Sequence, residues 1–300
     1  MIKKLDDLFT VLKARKSKRL VVAFANDIHS ISAVSKAVDM GIVEATLVGN
    51  RELIKTVCSK ENINIRKFEI VHEEEEMAAA RKAVSLINEG KGEMLMKGLV
   101  STDKYMRAIL NKESGLMVPG SILSHVTVME TPNYHKLLIM GDVAIIPLPE
   151  LKEKIAITNY LIEVSHALGN KRPKVAVLAA TEQVMPKMPA CVDAALLSKM
   201  ADRGQIEKAL VEGPLALDVA IDKESAEIKN LKNEVAGDAD CLVFPNIESG
   251  NIFYKANTKL ANSEQGAIVV GAKVPAVLSS RGDSIKTKLY SIALAAISAK

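Results

Sequence analysis

Ala276-Val277-Leu278-Ser279-Ser280-Arg281-Gly282-Asp283-Ser284-Ile285 sets an apolar run against a polar turn and then a helical repeat, and this succession decides the fold. Residues 276–278 read as a buried strand, while Ile285, Leu289, Ile292 and Ala296 return at helical spacing. A strand-to-helix turn gathers free backbone N–H groups and the positive end of a helix dipole, which together favour an anion such as phosphate. Arg281 adds a fixed fork of donors for phosphate oxygens, and Ser280 adds a hydroxyl beside it. The same residues also admit a purely structural reading, in which Ser280 or Asp283 caps the helix and Arg281 pairs with a surface carboxylate. Ser279, one residue before Ser280, is expected on the other side of the strand.

Outward from this turn the chain repeats the same succession. Apolar runs of strand length fall at residues 20–25, 45–48, 68–71, 94–96, 126–129 and 137–146, then at 174–180, 241–244 and 267–270, mostly separated by helical periodicity. The length of 300 residues accommodates two cores. Pro147 and Pro149 precede a long amphipathic segment, residues 151–168, and the division is placed there. The expected first domain is 1–150, completed by the C-terminal helix 284–300, and the second is 151–283. Hydrophobic residues make up 48% of the chain and aromatics only 3%, an aliphatic bias that favours parallel strands buried on both faces. The expected class is α/β, with two doubly wound domains and the Ser280 turn at a cleft between them.

Composition removes several kinds of function. A net charge of +4 and one basic block, residues 13–19, without Trp and with few other aromatics, give no stacking platform for nucleic acid. No stretch approaches membrane-spanning length, and Ile2, Leu5, Leu8, Phe9 and Leu12 are spaced as an amphipathic helix instead of a secretory signal. Cys58, Cys191 and Cys241 are odd in number and far apart, which suggests a reducing cytoplasm and no disulfide framework. Neither G-x-G-x-x-G nor G-x-x-x-x-G-K-[ST] occurs, and the five histidines never form H-E-x-x-H, so no metal cofactor is expected.

Three further turns carry chemistry or caps. Lys97-Gly98-Leu99-Val100-Ser101-Thr102, with Arg107 in the helix that follows, could hold phosphate, or could be a glycine turn capped by Ser101 or Thr102. Phe244-Pro245-Asn246 leads into a helix with Gly250 and Asn251, where a glycine costs about 1 kcal/mol relative to Ala and so suggests close approach of a ligand or another backbone. Gly141-Asp142-Val143-Ala144-Ile145 buries a carboxylate that needs donors, whether for chemistry or to bridge backbone groups.

Taken in order, these segments resemble the phosphate acetyl/butyryl transferase family. The blocks that carry the resemblance are residues 97–102 with Arg107, residues 141–145 with the two prolines, residues 240–246 with Gly250-Asn251-Ile252 and Tyr254-Lys255, and Ser280-Arg281-Gly282; residues 211–218 add a fifth segment. The resemblance implies two α/β domains like those of isocitrate and isopropylmalate dehydrogenases. It also implies acyl transfer between coenzyme A and inorganic phosphate, giving acyl phosphate, with no metal or redox cofactor. In that family reading Ser280 and Arg281 are catalytic, and Arg107, Lys97, Ser101, Thr102, Asn246 and Asn251 bind phosphate or substrate. A homodimer or larger homo-oligomer is implied as well. Acetyl-transferring relatives carry an aspartate six residues beyond the family arginine, where this chain has Thr287; that departure, the length and the K-G-L-V-S-T form resemble the butyryl branch. A phosphate acetyltransferase, a metal- and NAD-dependent hydroxyacid dehydrogenase and a non-catalytic CoA-binding protein are the alternatives.

Overall fold

The computed structural model describes residues 1–279 and 282–300. The chain forms two compact units, one of residues 5–123 and 265–300, the other of residues 1–4 and 124–264. The first holds strands β1 (Lys18–Ala23), β2 (Val43–Gly49), β3 (Phe68–His72) and β4 (Met94–Lys97), joined by helices α2 (Ile28–Asp39), α3 (Arg51–Lys60) and α4 (Glu76–Asn88). Helix α1 (Asp7–Lys13) precedes them, α5 (Thr102–Leu110) follows, and β10 (Glu264–Val270), β11 (Ala276–Val277) and α11 (Ile285–Ser298) complete the unit. Its strand order is β3-β2-β1-β4-β11-β10, parallel except where β11 meets β10.

The reason for the central position of β1 and β4 lies in their side chains: Leu20 to Ala23 and Met94 to Lys97 are buried throughout, as a strand covered on both faces requires. Helix α11 returns to this unit through an aromatic contact. The Phe9 and Tyr290 rings stack at 5.5 Å, and the Tyr290 hydroxyl donates to Asp6 Oδ1 at 2.7 Å.

The second unit contains β5 (Ser124–Glu130), β6 (Leu138–Gly141), α6 (Leu151–Ala167), β7 (Lys174–Leu178), α7 (Pro189–Asp202), β8 (Leu210–Leu215), α8 (Leu217–Ile221), α9 (Lys223–Ile228), β9 (Cys241–Val243) and α10 (Ile247–Leu260). The order is β5-β6-β9-β7-β8, with β5 antiparallel to β6 and the other pairs parallel. β5 and β6 therefore share a sheet with β7 and β9, and the unit boundary falls at residues 123–124, earlier than the division near residue 150 read from the sequence.

Two local expectations change. The apolar run 137–146 yields a strand only to Gly141, because the Asp142 carboxylate accepts the amides of Ala144 and Ile145 and curls the chain into a turn. Residues 210–215, not read as a strand, form β8 at the sheet edge, where Pro214 costs no interior ladder bond.

Candidate active site

The site is built on a reversal in the first sheet. From β1 the chain winds outward through β2 to β3, then returns to place β4 on the other flank of β1. Crevices outside the carboxyl ends of strands at such a reversal are where open α/β sheets bind ligands. A pocket of about 190 Å³ lies there, lined by Asp27, His29 and Ser30 after β1, Lys97, Gly98 and Leu99 at the end of β4, Ser279 after β11, and Lys288 in the first turn of α11. That volume is below the ~300–1,000 Å³ of sites that enclose a drug-sized ligand, so it suits the reacting end of a larger molecule.

Glycine makes the crevice close. The Gly98 amide donates to Ala23 O at 2.9 Å and the Leu99 amide to Phe24 O at 2.8 Å, pinning the β4 turn onto the end of β1. A Cβ at position 98 would stand 2.9 Å from Ala23 O, so a side chain cannot fit. Lys97 is 4% exposed, and its ammonium donates to Val100 O at 2.8 Å and Gly98 O at 3.3 Å. Lys288, 3% exposed, places Nζ 3.1 Å from Ser279 Oγ. Burial pushes its ammonium below the ordinary lysine range, against the attraction of Asp283 and Asp27. Asp27 Oδ1 caps α2 by accepting the Ser30 amide at 2.8 Å, while Oδ2 is buried with no hydrogen-bond partner among the described residues. Two buried lysines and the Asp27 carboxylate thus give the pocket a polar lining.

Of the residues singled out by sequence, Lys97 lines this pocket. Ser101 is the cap of α5, its Oγ accepting the Lys104 amide at 3.4 Å, and Thr102 opens that helix. The Ser101 amide is in turn held by Glu76 Oε1 at 2.6 Å, and Glu76 Oε2 pairs with Lys104; those two contacts keep the Glu76 carboxyl below its usual range. Arg107 sits on the outside of α5, 71% exposed, with Nε 3.1 Å from Asp103 Oδ1. It does not line the pocket. In the other unit, Asn246 caps α10 through the Ser249 amide at 2.9 Å, and Asn251 Nδ2 donates to Val143 O at 3.1 Å. A Cβ on Gly250 would lie 2.6 Å from Asp142 O, so a neighbouring backbone is what that glycine admits.

The two catalytic expectations, Ser280 and Arg281, lie outside the described residues. Ser279 lines the pocket and bonds Lys288, where the chain after Val277 has left strand geometry; its expected placement opposite Ser280 involves a residue outside the described ones. Thr287 is engaged in the α11 cap, its amide donating to Ser284 Oγ at 3.0 Å. Asp27, His29, Ser30 and Lys288 escaped the sequence reading. Asn26-Asp27 after an apolar run was a legible cap signal, but nothing in the helical repeat of α11 marked Lys288 as inward-facing. Among the described residues no three His, Cys, Asp or Glu side chains form a group able to hold a metal ion, and no helix is long and apolar enough to cross a membrane.

Sheet order and pocket together define an α/β protein with a polar crevice at its strand ends. The chain belongs to the family described as phosphate acetyl/butaryl transferase, which its residues 76–296 match. It is 47% identical to a phosphate butyryltransferase of Clostridium acetobutylicum over 297 residues, 99% of this chain and 98% of that one. It is also 40% identical to a phosphate acetyltransferase of Rhizobium meliloti, over 98% of this chain and 93% of the relative. The crystal structure of a branched-chain phosphotransacylase from Enterococcus faecalis superimposes with a TM-score of 0.82 at 32% identity, covering 94% of this chain and 98% of the other. A 4-hydroxythreonine-4-phosphate dehydrogenase from Klebsiella pneumoniae shares the kind of fold alone, with a TM-score of 0.54 at 12% identity over 93% of this chain and 98% of the other.

Proposed function

We propose that the protein transfers a short-chain acyl group between coenzyme A and inorganic phosphate, with butyryl the favoured acyl group and no metal or redox cofactor. The observation that supports this most is the strand-end pocket with two buried lysines, in a chain of this family. In the direction that consumes acyl phosphate, the thiolate of coenzyme A adds to the acyl carbonyl and phosphate leaves. The reverse direction makes the acyl phosphate.

In this reading the protein contributes position and charge. Ser280 hydrogen-bonds the thiol or the developing oxyanion, Arg281 and Arg107 bind phosphate oxygens, and Lys97 supplies a fixed cation. The assignment of Asn246 and Asn251 to the same substrate rests on the family likeness. A homodimer or larger assembly is part of the same proposal.

Thiol release from acyl-CoA, followed with a colour reagent, tests the reaction. Release from butyryl-CoA should require phosphate and neither added metal nor nicotinamide. No phosphate-dependent release with acetyl-, propionyl-, butyryl- or valeryl-CoA would overturn it. Chain length is worth only ~1–3 kcal/mol per methylene, so acetyl-CoA should react more slowly, by about 10- to 200-fold in kcat/KM per methylene at most. A higher kcat/KM with acetyl-CoA would favour the acetyl reading instead.

A further inference from the structure

We propose that Nζ of Lys288 takes the proton of the coenzyme A thiol in the pocket at the carboxyl ends of β1, β4 and β11, an inference that rests on the acyl-transfer reading. A thiol of ordinary pKa, about 8.5, is mostly protonated at neutral pH, so attack on the acyl carbonyl needs an acceptor for that proton. The S–H bond breaks with its electron pair left on sulfur, and the proton forms a new N–H bond on the neutral Lys288 amine. The thiolate then adds to the carbonyl, the C–O bond to phosphate breaks, and the ammonium returns its proton to solvent. In reverse the ammonium protonates the departing thiolate.

The two lysines of the pocket differ in what surrounds their nitrogens. Lys97 donates to two backbone carbonyls, Val100 O and Gly98 O, which can only accept. Lys288 bonds a hydroxyl, Ser279 Oγ, which accepts from an ammonium and can donate to an amine, so that contact survives proton transfer in either direction. Burial lowers the cost of the neutral form of Lys288, and its nitrogen faces the crevice at the carboxyl ends of β1, β4 and β11. Among the described residues, the charged and titratable groups around it include Asp27 and His29 at the start of α2, Lys97 at the end of β4, and Asp283 before α11. Asp27 and Asp283 favour the ammonium, so they set how far the amine is freed.

The test follows thioester formation from butyryl phosphate and coenzyme A between pH 6 and 10, in the wild type and in Lys288→Met, Lys288→Arg and Asp27→Asn. Both Lys288 variants should lose ~10²–10⁴-fold in kcat with little change in the KM for butyryl phosphate. Asp27→Asn keeps a good helix cap and removes a carboxylate that favours the ammonium, so the rising limb of the rate should move to lower pH. Retained rate in Lys288→Arg, or a loss in Lys288→Met confined to phosphate affinity, would show a binding cation and overturn the proposal. So would a collapse of kcat in Asp27→Asn at every pH. Labelling of the wild-type protein with an amine-acylating reagent, read by mass spectrometry, needs no variant to fold: Lys288 should react at lower pH than the exposed lysines, and reaction together with them would overturn the proposal. A wild type that is inactive with every acyl phosphate would take the acyl-transfer reading down and this inference with it, whereas an active wild type with an equally active Lys288→Arg sinks this inference alone.

Discussion

Lys97 Nζ lies 2.8 Å from the carbonyl oxygen of Val100, so the last residue of β4 folds its ammonium back over the turn that leaves its own strand. The cation is thereby fixed by the main chain before any ligand arrives. Replacing it should affect the turn and the anion together. Lys97→Met is expected to cost about 1.5–3 kcal/mol of stability, the range for hydrogen bonds to a charged group, and to raise the KM for phosphate. Thermal melts and phosphate titrations check both parts, and an unchanged KM would remove Lys97 from binding.

Arg107 should separate binding from stability cleanly. Its side chain is 71% exposed and its ion pair with Asp103 spans one helical turn, a contact worth a few tenths of a kcal/mol at most after solvent screening. Arg107→Ala is therefore expected to melt within about 1 °C of the wild type while the phosphate requirement rises. Arg281→Ala should lose more, ~10²-fold or beyond in kcat, as expected for a contact to developing charge. Wild-type kinetics in a folded Arg281→Ala protein would end its catalytic role.

Asp142 shows the opposite case, a carboxylate whose contacts are all structural. Its Oδ2 accepts Ser124 Oγ at 2.9 Å and the His125 amide at 2.8 Å, and Oδ1 accepts the amides of Ala144 at 2.7 Å and Ile145 at 2.8 Å. Asp142→Ala would strand these donors in a buried site, and a loss of ~3 kcal/mol or more is expected. Urea unfolding measures it. A variant that keeps its urea midpoint and loses only turnover would reassign Asp142 to the chemistry.

How much of this was legible beforehand depends on the kind of signal. Strands with continuous aliphatic runs, such as β1 and β4, were readable because burial on both faces leaves no alternation to misread. β8 was not, since Gly213 and Pro214 inside it look like a turn until the sheet edge that tolerates them is known. The antiparallel steps β5–β6 and β10–β11 were equally hidden, because an aliphatic run does not announce its direction. At the site, Lys97 stood out beside its glycine, whereas Lys288 sits two residues after Lys286 in the same helix, and only packing turns it inward. Arg107 was harder to place: a helix start rich in hydroxyls and charge reads the same whether the arginine faces a ligand or solvent.

The last prediction concerns acid. Asp238 joins His135, Lys136 and Lys174 at one edge of the second unit, with Nε2 of His135 at 2.8 Å, Nζ of Lys136 at 2.9 Å and Nζ of Lys174 at 2.7 Å from its carboxylate. Partial burial would raise its pKa, but hydrogen bonds from Lys174, Lys136 and His135 outweigh that and hold the carboxyl well below the usual aspartate range. A carboxyl depressed in the folded state contributes stability that is complete above its unfolded pKa, near 3.9, and that drains away as the pH falls through the lower folded value. Its side chain is 38% exposed, so screening keeps the effect modest. Asp238→Asn should thus melt lower than the wild type at pH 7, with the gap narrowing between about pH 5 and pH 2. Lys136 keeps Asp240 at 2.8 Å as a partner in the variant, which limits collateral damage. Melting curves at pH 7, 5, 4 and 3 decide the matter: a gap of constant size across that range would mean that Asp238 holds this edge by hydrogen-bond geometry and not by its charge.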